Sequence, residues 1–257
     1  MLRTLILLLV LTVNLPASDV TLESAPPGDP STTPLPLGKP WVPGWCRWDW
    51  RAAWVGKHKE FIATSQKRGK DISVIFYGDS ITMGWSTEGK NIFADTYANL
   101  GAVNYGIGGD STRQLLYRIA NGEVDGLAPR LIVLAIGTNN LYDDANKGTN
   151  EEIAQGITLI VSLLRNKLPN SKVLLLGILP RQNEWFCGRA TKINTLIEKL
   201  NDGENIRYLD MSTHFTSAPG KIKPELYHKD QLHLVKSGYE VWANVMAPLF
   251  NDLMRGK

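Results

Sequence analysis

Short apolar runs alternate with longer segments of helical period along most of this chain. The apolar runs cover residues 72–77, 102–105, 131–136, 172–179 and 206–209. They are continuous, without the apolar–polar alternation of a half-exposed strand, and this pattern is typical of strands that are buried on both faces. The runs therefore predict a parallel sheet that is covered by helices.

The segments between these runs carry helix patterns and helix-capping residues. Thr149 and Glu152 have the spacing of a capping box before a helix, and Asp110 or Ser111 is expected to cap an earlier one. Pro248 lies inside the pattern of the last helix, which it should kink or shorten. Right-handed crossovers then predict an α/β fold, a three-layer α/β/α sandwich around a central parallel sheet of about five strands.

The N-terminal region predicts two segments before the globular domain. Residues 1–17 resemble a signal peptide, with Arg3 before an apolar core and Ala17 at the expected cleavage point. A membrane anchor is the alternative interpretation. Residues 18–44 are rich in Pro, Ser and Thr and predict a tail or linker, so the domain is expected at 45–254. The mature protein should then be secreted or extracellular, or periplasmic in a bacterium, with no membrane span.

Composition narrows the classes of partner. The net charge is +3, and basic residues are interleaved with acidic ones, so nucleic acid is not an expected partner. An exported protein with only two cysteines, Cys46 and Cys187, is expected to form one disulfide, and two free buried thiols are the alternative. The segment 45–54 contains four tryptophans, which predict core packing or, less commonly, a surface that stacks on carbohydrate.

Residues with catalytic potential follow the predicted strands. Ligands of parallel sheets bind beyond the carboxyl ends of the strands, so these positions predict the site. Ser80 follows the first strand and is either a nucleophile or a helix N-cap. Gly109 lies in a glycine-rich turn after the second strand, and Asn139 follows the third. The Ser80 and Gly109 N–H groups and the Asn139 amide would make three oxyanion donors. Glycine and asparagine are also common in turns that have no catalytic role.

A base for the serine is predicted close to the C-terminus. Of the four histidines, only His233 has an aspartate three residues before it and an apolar helix directly after it. Asp230 can hold the His233 Nδ1–H, which leaves Nε2 to accept the serine proton. His228 is the next candidate base. A metal-binding Asp/His pair is the rival interpretation, but the sequence has no HExxH motif or Cys/His cluster, so no metal is expected.

These blocks, GDS, the glycine turn, GTN and DxxH, together resemble the SGNH (GDSL-type) hydrolases over residues 70–253. The stretch NYGIGGDSTRQLLYRIANGEVDGLAPRLIVLAIGTNN is especially similar to the catalytic subunits of type I platelet-activating-factor acetylhydrolase and their bacterial relatives. The resemblance implies the flavodoxin-like SGNH fold. It also implies a Ser80 nucleophile, a His233 base oriented by Asp230, an oxyanion hole of Ser80, Gly109 and Asn139, and no cofactor.

The function expected from the sequence is hydrolysis of short-chain carboxylic esters through an acyl-enzyme. The resemblance implies an acetyl group, carried by a small ester, a phospholipid or an acetylated carbohydrate. Dimers occur among the resembled enzymes, so a homodimer is a further expectation. The alternative function is a non-catalytic glycan-binding protein on the same scaffold. A phosphate-binding or metal-dependent hydrolase, suggested by the glycine turn, is a second rival.

Overall fold

The central feature of the fold is a five-stranded parallel sheet. A computed structural model of the protein describes residues 38–45, 50–142 and 148–255. The strands are β1 (Val74–Gly78), β2 (Ala102–Gly106), β3 (Leu131–Ala135), β4 (Lys172–Leu176) and β5 (Ile206–Leu209). Their order is β2-β1-β3-β4-β5, with every neighbouring pair parallel. This is the flavodoxin-like order, whose switch point lies between β1 and β3, and it confirms the predicted fold class.

Helices cover both faces of the sheet. They are α1 (Arg51–Arg68), α2 (Ser80–Met83), α3 (Lys90–Thr96), α4 (Thr112–Ala120), α5 (Asn150–Lys167), α6 (Glu184–Ile197), α7 (Ser212–Phe215) and α8 (Lys236–Arg255). Alternate residues of β1 enter opposite cores. Ile75 and Tyr77 pack with α1, α4, α5 and α6, whereas Val74 and Phe76 pack with α3 and α8. All five β1 residues are buried, as the continuous apolar run requires.

The predicted helix caps are present in part. Thr149 caps α5 in a capping box with Glu152. Ser111, and not Asp110, precedes α4 and shares its own capping box with Gln114. Pro248 does not shorten the last helix, because α8 continues to Arg255, and a kink at this proline stays a prediction. Phe250 and Leu253, beyond the proline, are buried in the core, and this packing outweighs the lost hydrogen bond.

The largest error in strand length concerns β4, which ends at Leu176, three residues before the predicted end at 179. The reason is the side chain of Asn194, which forms hydrogen bonds with the backbone at Ile178 in place of a neighbouring strand. Asn194 accepts a hydrogen bond from Ile178 N at 2.8 Å and donates to Ile178 O at 3.1 Å. The short hairpin of β6 (Thr216–Ala218) and β7 (Lys221–Ile222) had no predicted counterpart.

The described end of the N-terminal segment lies against α4. Thr112 Oγ1 donates to Pro40 O at 2.7 Å, and Gly44 N donates to Arg113 O at 3.0 Å. Trp45 and Trp54 are buried in the core, while Trp50 is 40 % exposed. The tryptophan-rich segment therefore contributes both core packing and an exposed aromatic surface.

Several predicted features lie outside the described residues. They include the signal peptide, most of the tail, and Cys46. Cys187 is a free and buried thiol, which favours the free-thiol alternative over the disulfide. Within the described ranges, no helix has the length and hydropathy that a bilayer span requires.

The thiol of Cys187 gives a direct test of its pairing. Burial raises its pKa, which disfavours the reactive thiolate. We expect Cys187 to resist a thiol reagent in the native protein and to react in denaturant without any reductant. Peptide mapping after alkylation measures both states. A denatured chain in which Cys187 reacts only after reduction would show a disulfide instead.

Candidate active site

Ser80 lies at the tip of the central strand, next to the switch point of the sheet. Gly78 ends β1, and Asp79 then caps the short helix α2 by accepting a hydrogen bond from Ile81 N at 2.9 Å. The cap is therefore Asp79, so the Ser80 hydroxyl is not used as an N-cap. Burial raises the pKa of Asp79 to about 7. The Ser80 Oγ instead lies 2.8 Å from His233 Nε2.

His233 and Asp230 complete a hydrogen-bonded chain with Ser80. His233 Nδ1 lies 2.6 Å from Asp230 Oδ2, and the N–H groups of Leu232 and His233 each donate to Asp230 Oδ1 at 3.0 Å. Burial alone would raise the pKa of Asp230, but these hydrogen bonds outweigh it and lower the pKa to about 2. The ionised carboxylate keeps the proton on Nδ1, so Nε2 is the acceptor that faces Ser80.

The other histidines do not contact Ser80. His228, the second candidate base, lies 3.5 Å from Glu88 through its Nε2 atom. His58 is buried, and its Nδ1 lies 2.7 Å from Glu123 Oε1. His214 belongs to α7, and its backbone carbonyl accepts a hydrogen bond from Lys223 Nζ at 3.0 Å. The structure thus brings together the predicted histidine and aspartate and leaves the alternative base elsewhere.

The glycine turn after β2 lies directly beside Ser80. Gly109 has a φ of +77°, a conformation that L side chains rarely adopt, and this explains the glycine. A Cβ at Gly108 would lie 3.9 Å from Ser80 Cβ. Among the described residues, neither Ser80 N–H nor Gly109 N–H has a hydrogen-bond acceptor. Both donors are therefore free to bind a developing negative charge.

Asn139 stands at the start of the loop after β3, on the other side of the switch point. It is 9 % exposed, and its Nδ2 donates to the backbone carbonyl of Asp110 at 2.9 Å. This bond fixes the orientation of the amide and uses one of its two N–H groups, so the second remains for a ligand. Neighbouring Asn140 binds Thr112 through both its Oδ1 and Nδ2 atoms, at 3.1 Å each, which joins this loop to α4.

The described part of the chain holds no cluster of three or more His, Cys, Asp or Glu side chains with the spacing for a metal ion. Within the ranges that the structure describes, the side chains of His233 and Asp230 form side-chain hydrogen bonds only with each other and with Ser80. This geometry is the one expected for a serine, a base and an orienting carboxylate.

Comparison with known proteins assigns the family. The profile of the GDSL-like lipase/acylhydrolase family matches residues 76–241, which include Ser80, Gly109, Asn139, Asp230 and His233. The chain belongs to this family. It is 33 % identical over 206 residues to the human platelet-activating factor acetylhydrolase IB subunit alpha2, a match that covers 79 % of this chain and 84 % of that protein. The chain is therefore a carboxylic ester hydrolase.

Solved structures support the fold of this hydrolase. A GDSL-like lipase from Bacteroides thetaiotaomicron superposes with a TM-score of 0.63 at 22 % identity, covering 76 % of this chain and 97 % of that one. The acetylxylan esterase of Geobacillus stearothermophilus gives a TM-score of 0.57 at 18 % identity, covering 74 % and 96 %. At this identity the likeness concerns the fold alone.

A buried ionic network lies beneath the glycine turn of the hydrolase. The Arg118 guanidinium donates to Asp110 Oδ2 at 2.6 Å and to the two oxygens of Glu123 at 2.9 and 3.1 Å. Its Nη2 also donates to Tyr105 O, at the end of β2. Trp54 Nε1 binds the other Asp110 oxygen at 2.7 Å, and Tyr77 OH binds Glu123 at 2.6 Å. The network thus fixes Asp110, the residue that follows Gly109. The backbone carbonyl of Asp110 in turn orients Asn139.

Opposing effects act on the charges of this network. Burial raises the pKa of Asp110 to about 7, against the lowering effect of Arg118 and Trp54. Burial alone would lower the pKa of Arg118, but Glu123 and Asp110 outweigh it and raise that pKa. Arg118 therefore stays charged, and its removal would leave the buried Asp110 carboxyl without a cationic partner and Glu123 with His58 alone.

The sequence carries one signal of this network, the position of Arg118 in α4. Arg118 lies three residues after Leu115 and one before Ile119, so it falls on the apolar face of α4. A charged residue at such a position requires a buried partner. The sequence predicts Asp110 only as a possible helix cap, and its pattern does not distinguish Glu123 from the other carboxylates as the second partner.

Arg118→Met should destabilise the hydrolase strongly. Because the variant leaves Asp110 buried without a cationic partner and Glu123 with His58 alone beside it, we expect a loss of about 3–5 kcal/mol in the free energy of unfolding, measured by urea denaturation. Arg207→Met is the control, because Arg207 pairs with Asp252 at 3.3 Å on the surface and should lose less than about 1 kcal/mol. Equal, small losses in both variants would show that the network is not a stabilising element.

Proposed function

We propose that this hydrolase cleaves short-chain carboxylic esters, with acetyl esters as its main substrates, through an acyl-enzyme on Ser80. The observation that carries the proposal is the chain of hydrogen bonds from Ser80 Oγ to His233 Nε2 and from His233 Nδ1 to Asp230 Oδ2. It supplies the base that a serine hydroxyl needs to act as a nucleophile.

The reaction follows from this geometry in two halves. Ser80 Oγ attacks the ester carbonyl carbon while its proton moves to His233 Nε2. The tetrahedral intermediate collapses, the bond to the alcohol oxygen breaks, and His233 returns the proton to the leaving alcohol. A water molecule then attacks the acyl-serine, with His233 as base, and releases the carboxylic acid and the Ser80 hydroxyl. Asp230, ionised throughout, stabilises the imidazolium in both halves.

Three donors around Ser80 supply the oxyanion site in this proposal. They are the N–H groups of Ser80 and Gly109 and the free N–H of the Asn139 amide. The charge of the tetrahedral intermediate develops on the carbonyl oxygen, and the loss of one such donor typically lowers kcat by about 10²–10³. The bond from Asn139 to Asp110 O holds its amide in place before the substrate arrives.

The acyl group and the alcohol are inferred separately. The relatives at 33 % identity are named acetylhydrolases, which supports an acetyl group here. The alcohol is either a lipid or an acetylated glycan. The name of the relatives suggests a lipid substrate for those proteins, whereas the predicted export and the exposed Trp50 support a glycan for this one. The N-terminal sequence further supports a secreted or periplasmic location.

Ser80→Ala tests the proposal against the glycan-binding alternative. We expect the variant to lose kcat on 4-nitrophenyl acetate by about 10⁶-fold. It should also lose covalent labelling by a fluorophosphonate, because no activated hydroxyl remains. Ser217→Ala, at an exposed position of the β6–β7 hairpin, is the control and should keep both properties. Wild-type protein that neither turns over the ester nor takes the label would favour a binding protein.

A further inference from the structure

A polar cleft opens between the start of α6 and the β6–β7 hairpin. Its volume is about 400 Å³, within the range of about 300–1,000 Å³ that is common for small-ligand sites. Two prolines form apolar parts of its wall, and its polar side chains are those of Gln182, Asn183, Glu184, Lys221 and Gln231. The cleft follows β4 and β5, so it lies on the opposite side of Ser80 from the glycine turn. The proposed mechanism uses none of its side chains.

The cleft adjoins the loop that carries the base. Gln231 lies between Asp230 and His233 in the chain, and Gln182 Nε2 contacts Asp230 O at 3.5 Å. In the proposed mechanism His233 returns its proton to the leaving alcohol, so the alcohol oxygen must lie beside His233 Nε2. The rest of the alcohol can therefore extend into this cleft.

Two backbone outliers occur at the same place. Within the described ranges, Gln182 and Gln231 are the only residues other than glycine with a positive φ, +51° and +55°. Gln182 N donates to Gln231 O at 2.9 Å, so the two strained segments hold each other. Strained backbone of this kind is concentrated at catalytic and ligand-binding sites, where the surrounding fold maintains it. The strain favours a binding role for the cleft over a passive surface.

Four polar side chains of the cleft have unused hydrogen-bonding groups. Among the described residues, the side chains of Glu184, Lys221 and Gln231 have no hydrogen-bond or ion-pair partner. Asn183 uses its Oδ1 atom to cap α6, and its Nδ2 group remains for a ligand. The cleft thus offers a carboxylate, an ammonium group and two amides.

The mixture of these groups identifies the occupant. Glu184 and Lys221 contribute one charge of each sign, so the lining has no net charge with which to select a phosphate or a quaternary ammonium group. An alkyl chain would displace water from the polar groups and leave them without partners. A sugar ring carries several hydroxyls, each of which both donates and accepts hydrogen bonds, and it therefore fits all four groups.

We propose that this cleft binds the sugar of an acetylated carbohydrate, which is the leaving alcohol of the reaction at Ser80. The inference rests on the proposed function, because the sugar is placed here by an ester bound between Ser80 and His233. Glu184 on α6 and Lys221 on β7 bind its hydroxyls from opposite walls. Gln231, next to the base, binds the hydroxyl nearest to the reacting ester. Of the two alcohols considered above, the cleft selects the carbohydrate.

A matched pair of acetates tests the cleft with the full chain. A monoacetylated methyl xyloside and cyclohexyl acetate have the same ring size, but only the xyloside carries further hydroxyls. In the wild type, kcat/KM should be at least about tenfold higher for the xyloside. Glu184→Ala and Lys221→Ala should each lower the ratio of the two values by about tenfold, because each removes a hydrogen bond between a charged group and a hydroxyl.

Two exposed residues near the amino end of β5 provide matched controls. Glu204→Ala and Lys199→Ala also remove one charge of each sign and should keep the wild-type ratio. Binding without turnover gives a second measurement. With Ser80→Ala protein, titration calorimetry with acetylated xylotriose should give a Kd that a further Glu184→Ala substitution raises about tenfold and a further Glu204→Ala substitution leaves unchanged.

The outcomes distinguish this proposal from the proposed function. If the wild type hydrolyses no acetate, 4-nitrophenyl acetate included, and takes no fluorophosphonate, the esterase mechanism fails and the sugar cleft with it. If esters are hydrolysed and the label is taken, but the xyloside is no better a substrate than cyclohexyl acetate, only the sugar cleft fails. The same conclusion follows if Glu184→Ala and Lys221→Ala keep the wild-type ratio.

Discussion

The buried guanidinium of Arg118 is the interaction on which the geometry of the site depends. It bonds to Asp110 and Glu123 and to Tyr105 O at the end of β2, and it also contacts Gly78 O at 3.5 Å, at the end of β1. These are the two strand ends that carry Ser80 and the glycine turn. The Asp110 carbonyl then holds Asn139, so one buried charge links every proposed oxyanion donor. A site built in this way is rigid before the substrate arrives.

The sheet and the residues at its carboxyl edge could be predicted from sequence for a clear reason. Strands buried on both faces are continuous apolar runs, and a parallel sheet brings their carboxyl ends to one edge. The position of Ser80 next to His233 followed from that edge and from the spacing between Asp230 and His233. The early end of β4 could not be predicted, because it depends on Asn194, a helix residue that pairs with the strand only in the folded chain.

The Arg118 network and the packing of the tryptophan-rich segment both depend on tertiary contacts, which leave only a weak pattern in the sequence. Arg118 on an apolar helix face indicated a buried partner, but several carboxylates were available. The tryptophan-rich segment predicted a core or a stacking surface, and the structure uses it for both. Trp54 packs in the core and holds Asp110, while Trp50 covers Gly109 from the solvent side. Both tryptophans, outside the matched family region, thereby contact the glycine turn beside Ser80.

Direct observation of the covalent intermediate tests the central claim most sharply. The full chain would be mixed with 4-nitrophenyl acetate, quenched in acid during turnover, digested, and mapped by mass spectrometry. An acyl-enzyme on Ser80 predicts an acetyl group, at most one per chain, on the peptide that contains Ser80, and no acetyl group there when Ser80 is replaced by alanine. Rapid turnover with no acetyl on Ser80, or with the acetyl group on another residue, would contradict it.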